Sequence, residues 1–117
     1  MNEIIEKENE IIENMIHEIR GVQVMLSSDV AKLYQVETKR VNEAVKNNPD
    51  KFPERFSFII TDLEKENLWS KFSTANISSM SRSNPRVFTE QGIYMLATII
   101  KSKAARGYKF IMWIYQC

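Results

Sequence analysis

The chain has 117 residues, of which 44% are hydrophobic and 26% charged, and its net charge is +1. A chain of that length forms one domain with a modest core, and that balance is a water-soluble, globular one. It excludes a membrane span, since no apolar run approaches the roughly 20 residues a bilayer requires, and an internal disulfide, since Cys117 is the only cysteine. With no secretory leader at the start, the expected location is the reducing cytoplasm.

The first segment, residues 1–15, is an acidic leader. Ile4, Ile5, Ile11, Ile12 and Met15 share one helical stripe, with Glu and Lys on the other face. It is expected to pack on its own domain, a dimer contact being the alternative. Residues 1–18 hold six Glu and one Lys, so they carry −5 while the rest of the chain carries +6. A basic body behind an acidic leader suggests a surface that meets a polyanion; a mixed surface with a solvated tail is the plainer alternative.

The period then changes. Ile16, Ile19, Val22, Val24 and Leu26 flank Arg20-Gly21, which predicts a tight turn and a short β-hairpin. Ser27 or Ser28 is expected to cap a helix of about two turns, with Val30, Ala31, Leu33 and Tyr34 inside. Thr38 is expected to cap a second helix whose inner face is Val41, Ala44 and Val45. Lys39, Arg40, Asn42, Glu43 and Lys46 then point outward, and Asn47-Asn48-Pro49 ends the helix.

A proline-containing loop leads to a predicted strand over Phe56–Ile60. Asp62 is expected to cap a helix over Leu63–Phe72, whose buried stripe is not evident from its residues. "STANISSMSRSNPR" is a Ser/Asn-rich loop carrying Arg82 and Arg86 before a short strand, "RVF". Thr89 opens the last strong helix, with Ile93, Leu96, Ala97 and Ile100 inside. Residues 104–117 read as an apolar C-terminal helix whose abrupt end suggests a piece of a longer protein.

The reactive clusters that catalysis or metal binding needs are missing. His17 is the only histidine and is expected to be structural, no His/Cys/carboxylate spacing suits a metal, and the three glycines are too scattered to cradle a phosphate. Glu64 and Glu66 read as solvated and unperturbed. The expectation is a protein that is no enzyme and uses no cofactor.

What is present resembles a helix-turn-helix, whose second helix enters the major groove. Its bracing needs a small residue on the first helix, an apolar residue in the turn and apolar residues a turn apart on the second. Ala31, Val36, Val41 and Ala44 or Val45 meet those needs. The turn position that is commonly glycine is Gln35, where a left-handed backbone costs about 1 kcal/mol, so a wider turn is expected. Arg40 and Asn42 suit guanine and adenine edges, whereas Lys39 and Lys46 suit phosphates. A basic loop bearing Arg82 and Arg86 could lie against the backbone as a wing. A solvated surface helix remains the plain alternative.

Three stretches, "EIRGVQVMLSSDVAKLYQVETKRVNEAVKNN", "FPERFSFIIT" and "FTEQGIYMLATIIKS", resemble the phage ORF-six N-terminal domain family, a relative of the KilA-N and Bro-N DNA-binding domains. The resemblance implies a small α+β domain, here residues 16–103, with a helix-turn-helix-like pair, a β-hairpin and short strands, closed by C-terminal helices. It implies double-stranded DNA as the partner, in an antirepressor or transcriptional regulator, with the "TKRVNEAVK" helix nearest the DNA; taken with the basic loop, the expected contacts are Thr38, Lys39, Arg40, Asn42, Lys46, Arg82 and Arg86. The alternative is a protein-interaction module that self-associates or grips a repressor without DNA.

Overall fold

The computed structural model describes residues 12–71 and 84–100. Residues 12–15 are helical and run straight into β1 (Ile16–Ile19). The chain reverses through Arg20 and Gly21 into β2 (Val22–Leu26), with Ile19 opposite Val22. Arg20 at φ 59° and Gly21 at φ 75° both lie in the left-handed region, the mark of a type I′ hairpin turn. Arginine is strained there where glycine is not. Its side chain, however, lies 4.0 Å above the Phe58 ring and forks onto both Glu64 oxygens at 2.8 and 3.0 Å. A further bond reaches Glu54 at 3.1 Å.

β3 (Ser57–Ile59) and β4 (Arg86–Thr89) complete an antiparallel sheet of order β1-β2-β4-β3. The predicted Phe56–Ile60 strand is thus shorter at each end. Arg86, expected in a loop, is the first residue of β4, and β4 is an inner strand of the sheet. Alternation along the strands gives each sheet face its own core. Met25 and Phe88, register partners, join Val30, Ala31, Tyr34, Val41, Val45, Ile93 and Leu96 on the side of the helices α1 (Ser27–Tyr34), α2 (Thr38–Asn47) and α4 (Glu90–Ile99). Val24, Phe58 and Val87 meet Leu68 of α3 (Asp62–Lys71) on the other. Ile12 is 2% exposed and belongs to the larger core, so the leader's last residues pack on their own domain. The rest of the leader, most of the Ser/Asn-rich stretch with Arg82, and residues 104–117 lie outside the described residues.

The inner faces of α1 and α2 are as expected, with Val30, Ala31, Leu33, Tyr34, Val41, Ala44 and Val45 all buried. Their caps are not. Leu26 and Glu37 hold the N-cap positions, neither helix start has a side-chain cap hydrogen bond, and Ser27 and Thr38 are first helical residues. Nor is the turn between the helices wide. Gln35 takes φ 58°, ψ 44°, its N–H donates to Lys32 O at 3.2 Å, and the Val36 N–H donates to Ala31 O at 3.0 Å. This is the paired pattern of a Schellman ending, closed by packing of Val36 on the core. Tertiary packing holds a non-glycine residue in the strained position. Gln35→Gly should therefore raise stability by about 0.5–1 kcal/mol, as read by denaturant unfolding at constant slope.

α3 starts with a capping box that "TDLE" spells in sequence. Glu64 N–H donates to Thr61 Oγ1 at 3.2 Å, and Thr61 N–H donates to Glu64 Oε1 at 2.8 Å. Thr61, not Asp62, is therefore the cap. Leu68 is its inward residue while Leu63 is 66% exposed. Glu64 is far from unperturbed, because the Arg20 fork and the Thr61 amide hold its carboxyl down at about 2. A carboxylate whose pKa falls on folding stabilises the fold above its unfolded value and loses that contribution as the pH drops from about 4.5 towards 2. Glu64→Gln should accordingly flatten the acid limb of a stability–pH curve in that window and leave its shape above pH 5 unchanged; an unaltered acid limb would contradict the assignment.

Candidate nucleic-acid interface

α2 carries its polar residues on an arc set by which residues it buries. Val41, Ala44 and Val45 fill the inner stripe, so the crest opposite belongs to Lys39, Glu43 and Lys46, all exposed. Lys39 and Glu43 approach to 3.9 Å across one turn, a solvated pair of small energetic weight. Arg40 and Asn42, expected to act together, lie about 160° apart around the axis and fall on opposite flanks. Arg40 borders a shallow hollow with Asn47, Ile99 and Ile100 at the end of α4. Thr38 and Asn42 border a larger groove of about 420 Å³ whose far wall is Ile59, Pro85 and Arg86.

This groove brings three of the expected contributors, Thr38, Asn42 and Arg86, together from distant parts of the chain. Arg86 is half-buried, and its Nη1 donates to Ser57 Oγ at 3.0 Å. Burial lowers its pKa from the ordinary guanidinium value. Ser57, 3% exposed, donates in turn to Val87 O at 2.9 Å. Neither Ser57 nor Ile59 stands out in the sequence. A serine in a β-rich run reads as a surface residue, and only the register opposite β4 brings it to Arg86.

Among the described residues, carboxylates reach this surface at two places, Glu43 on the crest of α2 and Asp62, whose Oδ1 accepts from the groove residue Asn84 at 2.9 Å. Glu54 and Glu64 surround Arg20 at the hairpin turn, the Val22 end of β2, whereas the groove lies at the Leu26 end. His17, in β1 as expected, is partly buried, and that burial lowers its pKa. Among the described residues no group of three or more His, Cys, Asp or Glu side chains could hold a metal ion, and no helix is long and apolar enough to cross a membrane.

A family model for the ORF6N domain matches residues 14–99, most of the chain and nearly the span of the sheet and its helices. The chain belongs to the ORF6N domain family. This is a phage-associated family, as the resemblance in the three sequence stretches implied. Comparison with curated proteins and with solved structures returned no match. The ORF6N match takes in both helices of the α1–α2 pair and both walls of the groove.

Proposed function

We propose that this ORF6N domain binds double-stranded DNA with α2 in the major groove, as the DNA-binding part of a phage- or prophage-derived cytoplasmic regulator, of antirepressor or transcriptional type, with no catalytic step. The observation that supports it most is the outer face of α2. Lys39 and Lys46 stand on the crest above a stripe of buried Val41, Ala44 and Val45, with Arg40 on one flank and Asn42 on the other.

On this reading Lys39 and Lys46 meet guanine edges or phosphates, and Asn42 suits the N6 and N7 of adenine. Arg40, on its own flank, is suited to a phosphate that positions the domain without reading sequence. Selection of duplexes from a random pool on immobilised protein, run at two salt concentrations, tests this. The expected result is a recovered base preference and retention that falls steeply with salt through counterion release. Failure to retain any duplex at low salt, together with light scattering that reports a large assembly, would transfer the function to protein interaction.

A further inference from the structure

Arg86 differs from the other cations of this surface. It is half-buried in an inner strand, and no ion pair engages it among the described residues. One of its donors is committed to Ser57 Oγ at 3.0 Å, and among the described residues no other partner engages the rest of its five-donor fork. The Ser57 hydroxyl spends its own proton on Val87 O at 2.9 Å, so its lone pairs are directed at the guanidinium. Beside it, Ile59 is the register partner of Arg86 and is 53% exposed, and Pro85 adds a second apolar surface. A cation with apolar neighbours matches a sugar–phosphate unit, whose oxygens suit the fork and whose deoxyribose suits the isoleucine and proline.

We propose that this groove seats one sugar–phosphate unit of the DNA strand passing along the Thr38–Asn42 flank of α2, with Arg86 as the phosphate contact and Ser57 as its positioning residue. The assignment rests on the DNA-binding reading and adds a second element to it. It clamps the duplex between a helix and a sheet edge, so that Arg86 and Arg40 serve backbones on opposite sides of α2.

The test is fluorescence anisotropy of a labelled duplex against the parent chain, Arg86→Gln, Ser57→Ala and the double variant, each over a salt series and with a thermal melt. Arg86→Gln keeps a side-chain amide near Ser57 and removes the charge. It should lower the slope of log affinity against log salt by about 0.9, so that the parent loses about 3.5-fold more affinity than the variant between about 50 and 200 mM salt. Ser57→Ala should weaken the parent by about threefold and leave Arg86→Gln unaffected, because it acts through the guanidinium. A serine with only a structural role would weaken both equally, and that result overturns the positioning claim.

Arg86→Lys keeps the charge and hence the slope, and should be insensitive to Ser57→Ala. It carries the test if Arg86→Gln melts below the assay temperature. A parent that binds duplex while Arg86→Gln keeps the parent slope overturns this assignment alone. A parent that retains no duplex at low salt overturns the DNA reading, and this assignment with it.

Discussion

Alanine at Lys39, Asn42 and Lys46 together should abolish retention of duplex DNA while the domain stays folded. All three side chains are exposed on α2, and none reaches the buried stripe of Val41, Ala44 and Val45. Exposed substitutions of this kind change stability by no more than about 0.5 kcal/mol each. A side chain that pairs with a base edge is worth about 1–3 kcal/mol, so removing all three should lower affinity by at least about 100-fold and the salt slope by about 2. Arg40→Ala should behave differently. Its flank borders the Ile99–Ile100 end of α4, so it should reduce the slope by about 1 and leave the selected base preference in place. The measurement is random-site selection on each variant alongside circular dichroism. Loss of base preference in Arg40→Ala with full retention by the triple variant would mean that α2 meets DNA through its other flank.

Gly92→Ala should destabilise the domain by about 2–4 kcal/mol and lower its melting temperature by about 10 °C or more. The direction is the informative part, since alanine favours a helix over glycine by about 1 kcal/mol. A Cβ at Gly92 would stand 2.0 Å from Phe56 O, 2.9 Å from Phe56 C and 3.3 Å from Phe88 Cδ2. Backbone cannot swing aside as a side-chain tip would. The same Phe56 oxygen accepts from Thr89 N at 3.0 Å and Thr89 Oγ1 at 3.1 Å, so relieving the clash stretches the joint between the entry to β3 and the start of α4. Because Phe56 precedes Ser57, the variant should also disturb the Arg86 wall of the groove. Thermal unfolding decides it: a melting temperature equal to or above the parent's would show that the close approach does not exist in solution.

The two sides of the candidate interface were unequally legible. The crest of α2 could be read directly, because a helix of fixed period with three apolar residues on one side leaves little choice about the other. What periodicity leaves open is how that helix is flanked. Arg40 and Asn42 look like neighbours in the chain, yet only the placement of α4 and of the β3–β4 edge gives each flank a different wall. Arg86 was visible as a cation but assigned to a loop, because proline and serine precede it and "RVF" is too short to set its own boundary.

Local chemistry was misread where two signals compete within a few residues. Serines and a threonine near helix starts suggested caps at Ser27, Ser28 and Thr38, but burial of Ser27 and the N-cap positions of Leu26 and Glu37 prevail. The reciprocal Thr61–Glu64 pair was present in "TDLE" and was passed over for the aspartate between them. Glu64 could not be known as perturbed from sequence, since its partner Arg20 is 44 residues away and held in place by a left-handed turn.

By itself the sequence determined the types of the elements predicted within the described residues, the inner faces of three helices, the hairpin turn at Arg20-Gly21 and the family, because each follows from short-range spacing, from backbone preference or from an ordered run of matching residues. Only the tertiary structure decided that Gln35 occupies the left-handed turn position, that β4 lies between β2 and β3, and that Arg86 donates to Ser57 in a groove shared with Asn42. Those features depend on strand register and on packing energy shared among residues far apart in the chain, and no local pattern encodes them.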